Sequence, residues 1–443
     1  MTAFALCLAG CGSGGDAIVT AEPLSSDRSY SHDTREAGLN AAWQPDVAAY
    51  TETLTFREAV SLALAFNPAV KAAYVEIEAK HGDAMQASFR LNPGLNFEVE
   101  NFANTKGSEA AAEAEETLGI FQTIELGDKR LKRLAAADLE SSLAGWDYEA
   151  ARLHAASQAA EAFVDVLAAQ ERLSILDDFV EISEKTRSAV EARVRGGRAS
   201  SIELDRAKVT VARARASVEA ERAKLAAARG KLSALWGADN PTFTRATGRL
   251  GRNRTVPTID EVKAFLGGNP AVARWSDAVG HRYAVLEVER SKAIPNITLG
   301  AGIRRFNEDD SGALIASVSV PLQIFDRNEG NITAAERRIA KAEFDAQATR
   351  TQLVGLLIEA LGALASTDAQ AGALEAHVLP AAQSAFDKTR AGYAEGKFDL
   401  LNVLDVQRAL FETRRDLVNA RAGYEKARVM VEALISRDLS GAW

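Results

Sequence analysis

The chain has 443 residues, a net charge of −9 and a hydrophobic fraction of 47%. The negative balance and the lack of aromatic-basic clusters are unfavourable for nucleic-acid binding, which depends on basic surfaces and stacked aromatic side chains. No run of 18 apolar residues occurs, which predicts no membrane-spanning helix, and the only cysteines, Cys7 and Cys11, leave no disulfide pair beyond residue 11.

Residues 1–11 form a short apolar run that ends in small residues, which is typical of an export signal. Leu8-Ala9-Gly10-Cys11 resembles the lipobox of bacterial lipoproteins. The resemblance implies cleavage before Cys11, acylation of Cys11 and, because Gly12 rather than Asp follows, transfer to the outer membrane. No Lys or Arg precedes the run, which predicts a missing basic segment upstream. Residues 12–52 carry little pattern and are predicted to be an extended linker.

The remaining chain is predicted to be a duplication. Asn67-Pro68-Ala69-Val70 recurs as Asn269-Pro270-Ala271-Val272, about 200 residues later. The first repeat is predicted at 53–236, with a helix, a β-hairpin at 94–126 and a helical hairpin at 128–236. A linker at 237–257 precedes the second repeat at 258–438, which has a helix, a β-hairpin at 296–324 and a helical hairpin at 330–438. Thr55 and Glu58 have the spacing of a capping box at the first helix.

Each β-hairpin contains stretches of about ten residues that alternate apolar and polar side chains. In the first, Leu95 and Phe97 alternate with Asn96 and Glu98. Period two predicts a strand with one apolar and one wet face. A soluble sheet that packs on a core would show the same alternation, but the length also suits a tilted membrane strand of about 9–11 residues.

The helical hairpins are predicted to be long and to pack as coiled coils. Residues 128–195 contain no proline, and a helix of that length would extend roughly 100 Å. Apolar residues then recur every seven positions, at Leu204, Val211, Val218, Leu225 and Leu232, with Glu221 as an interruption. The second repeat continues the pattern from Val403 to Val431, and Pro380 is predicted to break or kink the preceding helix.

Four strands in one chain imply an oligomer if they lie in lipid. Four strands cannot close a barrel, and an open edge is not tolerated in hydrocarbon. Two copies would give eight strands and a filled interior, whereas three would give twelve and leave a lumen. The predicted fold class is therefore an α+β membrane protein, with long antiparallel coiled-coil helices and two inserted β-hairpins. Three copies are expected to form a β-barrel and an α-helical barrel.

Several motifs resemble the TolC family of outer-membrane efflux ducts, and most closely its CzcC-type heavy-metal branch. The motifs are 90–102, 124–130, 320–332 and the tip segment 393–405. The resemblance implies a homotrimeric duct in outer-membrane lipid that docks on a periplasmic adaptor and an RND-class inner-membrane pump. It implies the following sites: the barrel lumen at Glu98, Glu100 and Arg304, adaptor-docking tips at Gly196, Gly197, Arg198, Gly396 and Lys397, and a periplasmic entrance at Asn402 and Asp405. Gly196, Gly197 and Gly396 are expected to allow the chain reversals at the tips.

The sequence offers no basis for an enzyme, a cofactor or a resident metal. It has no phosphate-binding glycine loop, no nucleophile elbow and no His-Glu-x-x-His motif. The five histidines are scattered without ligand spacing. The resemblance implies divalent heavy-metal export as the expected function, with a duct for drugs or secreted proteins as the alternative. A non-conducting coiled-coil scaffold of the envelope is a further alternative.

Two site interpretations also have alternatives. Asp405 could be an ordinary exposed charge on a helix. The basic run at 129–133 is expected to be a solvated or headgroup-facing helix start.

Overall fold

The computed structural model of the chain describes residues 52–102, 113–241, 243–251 and 256–437. The predicted lipidation site at Cys11 lies outside the described residues. The α-helices of these ranges are α1 (Phe56–Phe66), α2 (Pro68–Ser88), α3 (Lys129–Arg195), α4 (Ser201–Ala234), α5 (Ile259–Lys263), α6 (Pro270–Lys292), α7 (Glu329–Ala373), α8 (Leu379–Ala394) and α9 (Leu400–Ile435). The strands are β1 (Thr53–Thr55), β2 (Gly94–Glu100), β3 (Glu115–Ile124), β4 (Arg245–Thr247), β5 (Ile297–Phe306) and β6 (Ser311–Ser319).

The helix α3 is continuous over 67 residues, which corresponds to roughly 100 Å at the rise of an α-helix. It forms the spine of the chain, because α2, α4, α6 and α9 all pack against it. The predicted long helix is thus confirmed. Its partner α4 begins with a capping box, in which the Ser200 side chain accepts from the Glu203 N–H.

The seven-residue pattern of α4 marks the seam that packs on α3. Val211, Val218 and Leu232 are buried, as the pattern predicts. The interrupting residue, Glu221, is also buried, because its carboxylate is bound by Arg172 of α3 at 2.7 Å and by Lys224 at 3.2 Å. A paired carboxylate of this kind fits a helix seam where an isolated charge would be costly.

Pro380 does not end the helix that contains it. A π-helical turn, Leu374–Val378, joins α7 to α8, and Pro380 lies in the first turn of α8. Pro380 has no N–H to donate to the preceding turn, and the wider π turn before it accommodates the proline ring, so the rod continues. The sequence expectation of a disruption is correct, but the disruption is a local π turn.

The combined segment Glu329–Ala394 contains a stretch long and apolar enough to cross a membrane by length and composition, and 22% of that stretch is buried. The stretch reaches this level although it contains no uninterrupted run of 18 apolar residues, the feature on which the sequence prediction rests. The stretch includes Leu353, Leu357 and Leu364, which pack into a core shared with α9. Their contacts account for the buried part of the stretch.

Two cores lie at equivalent places in the two repeats, near the far ends of α4 and α9 from their tips. The first is centred on Phe163 and Trp236, and the second on Leu357 and Tyr424. Next to the first core, β1 pairs in parallel with β4. The side-chain amide of Gln170 completes this pair, because it donates to the Ala246 carbonyl at 2.9 Å and accepts from the Ala246 N–H at 2.8 Å.

The duplicated Asn-Pro motif has the same double function in both repeats. The Asn67 side chain accepts from the N–H groups of Ala69 and Val70 and so caps α2, while its amide donates to the Leu235 carbonyl at 2.9 Å. In the second repeat, Asn269 caps α6 and donates to the Leu434 carbonyl at 3.0 Å. Each asparagine therefore joins the start of one helix to the end of another.

The two β-hairpins form one antiparallel sheet with strand order β2-β3-β5-β6. The hairpins are joined by β3 and β5, which pair over ten residues from Glu115–Phe306 to Ile124–Ile297. Within the described chain, β2 and β6 each have a strand neighbour on one side only. The sheet therefore has two open edges.

Candidate functional site

The four-stranded sheet has one polar and one apolar face, as strand alternation and register dictate. The polar face carries the side chains Asn96, Glu98, Glu100, Glu115, Thr117, Thr123, Thr298, Arg304, Ser317 and Ser319. The apolar face carries Leu95, Phe97, Val99, Leu118, Ile120, Leu299, Ala301, Ile303, Leu314, Ala316 and Val318, with Glu116, Gln122 and Arg305 as its polar exceptions.

The apolar face has no cover within the described chain. Leu314 is 88% exposed, Leu95 74% and Val318 72%. The helices lie beyond one end of the sheet, so they do not shield it. Uncovered apolar surface of this extent marks contact with a membrane or a protein partner.

Arg304 organises the charges of the polar face. The strand register places Glu98, Thr117 and Arg304 directly beside one another across β2, β3 and β5. Two residues further along the strands, on the same face, Glu100 lies opposite Glu115. The Arg304 guanidinium contacts Glu100 at 2.7 Å and Glu115 at 2.6 Å, and its Nε donates to the Thr117 hydroxyl at 2.9 Å. Directly opposed like charges repel across strands, so the guanidinium offsets the repulsion between Glu100 and Glu115.

The three residues predicted to line a lumen therefore share this face. Sequence reasoning missed Glu115 and Thr117, the partners of Arg304. Their strand could be identified from alternation, but the register that places them beside Arg304 depends on pairing between the two hairpins, which are far apart in sequence.

The junction between sheet and helices is fixed by hydrogen bonds to exposed helix ends. The Lys129 ammonium donates to the Ile294 carbonyl and to Asn296 at the end of α6. Arg130 donates to the Ser88 carbonyl at the end of α2, at 3.1 Å. Cations at carboxyl ends of helices satisfy free carbonyls and the helix dipole.

This finding corrects the expectation for the basic run at 129–133. Besides Lys129 and Arg130, Lys132 pairs with Glu287 at 3.3 Å and Arg133 binds Glu125. Four of its residues are therefore engaged within the chain, and the run does not form a free solvated surface. The position of the run explains its contacts, because the run begins α3 at the place where α2 and α6 end.

A pair of glutamines repeats across both junctions and was not singled out from the sequence. Gln122 donates to the Leu91 carbonyl at 2.9 Å, and Gln323 donates to the Lys292 carbonyl at 2.9 Å. Gln122 lies in β3 and Gln323 lies four residues after β6, and each bond reaches the chain 31 residues earlier. The duplication itself contained this signal, since the two glutamines are separated by about the repeat length.

The far ends of the helical hairpins form two tips with the same backbone pattern. In the first, the Gly197 N–H donates to the Val194 carbonyl and the Arg198 N–H to the Arg193 carbonyl. In the second, the Gly396 N–H donates to the Tyr393 carbonyl and the Lys397 N–H to the Gly392 carbonyl. Both are helix ends closed by a left-handed glycine.

One predicted tip glycine has no conformational role. Gly197 and Gly396 have φ angles of +68° and +82°, in the region that favours glycine. Gly196 has a φ of −82°, and a β-carbon there would meet only ordinary contacts with the Ala192 and Arg193 carbonyls. The expectation that Gly196 permits the chain reversal is therefore wrong; the reversal depends on Gly197.

The two tips are joined by a small core with a cation at its edge. Val190, Ala207, Tyr393, Leu400 and Val403 bury one another, so four helix ends meet there. The Arg193 guanidinium lies 4.4 Å from the centre of the Tyr393 ring and donates to the Tyr393 carbonyl at 2.5 Å. Burial raises the pKa of the Tyr393 phenol, and the nearby Arg193 charge partly opposes that rise.

The predicted entrance residues lie beside this core. Asn402 and Asp405 are both exposed and are three residues apart on α9, so they share a helix face. The Asn402 N–H donates to the Asp399 carboxylate, which caps α9. Val403, which follows Asn402, is buried in the tip core, so Asn402 and Asp405 lie on the face of α9 that points away from that core. Across the described residues, no group of three or more His, Cys, Asp or Glu side chains is arranged to hold a metal ion.

Comparison with known proteins relates this architecture to a family. The model of the family described as "Outer membrane efflux protein" matches residues 59–238 and 263–437. The cobalt-zinc-cadmium resistance protein CzcC of Cupriavidus metallidurans is 33% identical over 87% of this chain and 90% of its own length. The nickel and cobalt resistance protein CnrC of the same organism is 29% identical over 72% of this chain and 75% of its own.

A solved structure has the same fold. CusC, in a study of folding and transmembrane channel formation, superposes with a TM-score of 0.71 at 19% identity. The match covers 89% of this chain and 95% of that chain. The predicted fold class, long antiparallel helices with two inserted β-hairpins, is confirmed.

Proposed function

The chain belongs to the outer membrane efflux protein family, and we propose that three copies of it form a duct for divalent heavy-metal cations of the cobalt, zinc, cadmium and nickel class. The observation that carries this proposal is the 33% identity to CzcC along 87% of the chain. The sheet lies in the outer membrane, and the helices extend into the periplasm.

The open edges of the sheet support the homotrimer. Within the described chain, β2 and β6 lack an outer neighbour, and lipid provides no hydrogen-bond partner for a free strand edge. Pairing β6 of one copy with β2 of the next satisfies both edges. Three copies give twelve strands and an open interior, whereas two copies would give a filled one.

The two faces of the sheet then take different environments. The apolar face contacts lipid, and the polar face, with Glu98, Glu100 and Arg304, lines a water-filled lumen. This division is the one expected for strands of a membrane barrel. The duct itself is passive; the choice of cargo belongs to the pump and the adaptor.

The helical tips are the proposed docking surface for the periplasmic adaptor, which in turn binds an RND-class pump. Arg198 and Lys397 occupy equivalent exposed positions immediately after the left-handed glycines. Each copy therefore presents two tips of the same backbone form that the adaptor can engage, and at the second tip Lys397 pairs with Glu395 at 2.6 Å. Asn402 and Asp405, on an exposed face of α9 next to the tips, narrow the periplasmic entrance in this proposal.

Deletion of the chain from its host, followed by growth with zinc, cobalt, cadmium, nickel and a panel of drugs, tests the cargo. Loss of metal resistance with unchanged drug resistance is the expected result, and a plasmid copy of the chain should restore growth. The reverse pattern would establish the alternative, a duct for drugs or secreted proteins.

Single-channel conductance in a planar bilayer, with the oligomer mass measured in parallel, tests the duct. A trimer with steady conductance is expected once the entrance is open. A monomer in detergent, or a protein that stays in the aqueous fraction, would overturn the duct and favour a coiled-coil scaffold.

A further inference from the structure

A buried polar pair joins α3 to α9 close to the entrance residues. The Gln407 amide donates to the Ser183 hydroxyl at 2.8 Å, although the two residues are 224 positions apart in the chain. Gln407 is 0% exposed and Ser183 2%. The Gln407 Oε1 is also buried, and it has no hydrogen-bond partner in the described part of the chain. The pair is therefore removed from water but incompletely satisfied.

The contacts on either side of this pair are apolar. Toward the tip, Val190 and Val403 are buried in the tip core, and away from it the rings of Phe179 and Phe411 lie 4.6 Å apart. Leaving a buried acceptor unpaired is unfavourable, whereas replacing both partners of a buried hydrogen bond by apolar groups of similar shape is neutral or stabilising. Stability alone therefore does not explain a serine and a glutamine here. Buried polar groups between packed helices can instead specify how the helices align.

The pair distinguishes the observed alignment of α3 and α9 from its nearest competitor. The two helices run antiparallel, because residue numbers rise along one as they fall along the other from Ser183–Gln407 to Phe179–Phe411. A shift of α9 by one helical turn, roughly 5.4 Å, would bring Phe411 next to Ile175 and Gln407 next to Phe179. Phe411 would again have an apolar neighbour, but the Gln407 amide would lose its hydrogen bond to Ser183.

We propose that Ser183 and Gln407 are positioning residues, which fix the height of α9 on α3 and thereby the height of the entrance residues Asn402 and Asp405. Asp405 is exposed and lies two residues before Gln407 on the same continuous helix, so it moves with Gln407. Three copies that share one alignment place their entrance residues at one level and form one constriction. This inference rests on the proposed duct and its entrance.

The double variant Ser183→Ala/Gln407→Leu tests the pair in the full-length trimer. It removes both polar groups and nearly conserves the buried volume, so its thermal midpoint should equal or exceed that of the parent. Ser183→Thr keeps the accepting hydroxyl and is the conservative control. Thr413→Val is the matched control, because it removes a buried hydroxyl of α9 whose bond, to the Ala409 carbonyl at 2.8 Å, stays within that helix. Single-channel conductance in a planar bilayer and thermal unfolding are measured for each protein.

The expected result is loss of the parent's single state, conducting or closed. The double variant should show several conductance levels at an unchanged or higher thermal midpoint, while both controls behave as the parent does. A double variant that conducts like the parent would overturn the positioning role and leave the duct standing. One that loses stability together with the single state would also overturn that role, because the pair would then serve ordinary packing. If neither the parent nor any variant conducts, the proposed duct itself is wrong, and the inference fails with it.

Discussion

At the scale of single residues, Tyr393 combines a buried aromatic ring with a hydroxyl group that makes no hydrogen bond in the described part of the chain. Its ring is buried among Val190, Leu400 and Val403 and is stacked by Arg193. Its hydroxyl is buried, with no hydrogen-bond partner in the described part of the chain. A buried donor without a partner costs about 1–3 kcal/mol, so the ring stabilises the tip while the hydroxyl opposes it.

Tyr393→Phe should therefore be neutral or stabilising, whereas Tyr393→Ala should lower the free energy of unfolding by about 3–5 kcal/mol, the usual cost of removing a buried aromatic ring. Thermal unfolding followed by circular dichroism compares the two. If Tyr393→Phe were as damaging as Tyr393→Ala, the hydroxyl would have a partner in the assembled protein.

The pH dependence of the unfolding free energy provides a second test of the burial of Tyr393. Because burial raises the pKa of Tyr393, the folded tip holds the proton more tightly than the unfolded chain does. The resulting stability is present below the unfolded pKa of about 10 and is lost as the pH rises through the folded pKa. Tyr393→Phe should reduce the loss of stability above about pH 10, and an unchanged alkaline profile would contradict this account.

At the scale of elements, the duplicated asparagines link helices that are distant in sequence. Asn67→Ala removes the N-cap of α2 and leaves the Leu235 carbonyl without its 2.9 Å donor. Loss of a cap costs about 0.5–2 kcal/mol, and an unsatisfied buried carbonyl adds to it. Asn67→Ser keeps a capping oxygen but is too short to reach Leu235, so its effect should be intermediate.

Denaturant unfolding of the two variants measures these contributions, and the same pair at Asn269 is the internal replicate. Equal stability of Asn67→Ser and the parent would show that the bond to Leu235 contributes nothing. The duplication predicts the same order of stability in both repeats.

The tip glycines give a sharper contrast, because two neighbours differ only in backbone conformation. Gly197→Ala places a β-carbon at a φ of +68° with open space around it, so its cost of about 1–2 kcal/mol comes from the backbone alone. Gly196→Ala, at a φ of −82°, should be neutral or slightly stabilising. Thermal unfolding and protease cleavage at the tip measure both, and equal effects would contradict the assignment of the reversal to Gly197.

The elements that local patterns determine could be predicted, and the contacts between elements could not. Alternation identified the strands, and the seven-residue pattern identified the seam of α4. The partner of Glu221, Arg172, could not be predicted because it lies on another helix, 49 residues earlier in the chain. Gly196 was misassigned because a Gly-Gly pair does not show which glycine takes the left-handed conformation.

At the scale of the whole molecule, the duplication explains why one chain has two tips, two asparagine caps and a sheet made from two hairpins. The candidate lumen residues were predictable because alternation alone sorts side chains to two faces. Their electrostatics were not, because Glu100, Glu115 and Arg304 come from three strands.

The charge of the polar face leads to a prediction for the assembled duct. Glu98, Glu100 and Glu115 outnumber Arg304 on this face, and Arg304 is already committed to Glu100 and Glu115. Glu98 is therefore the carboxylate in this group with the greatest influence on mobile ions, and three copies repeat it around the lumen. Lining charges of one sign favour permeation by ions of the other.

Glu98→Gln should lower the cation preference of the open duct, measured as the reversal potential under a salt gradient. The effect should be largest at low salt, because the screening length is about 30 Å at 0.01 M and about 10 Å at 0.1 M. Glu116→Gln is the matched control, since Glu116 lies in the same sheet but on the opposite face, in register with Arg305. If Glu116→Gln shifts the reversal potential as much as Glu98→Gln does, the two faces have been assigned the wrong way round, and the apolar face cannot be the one in lipid.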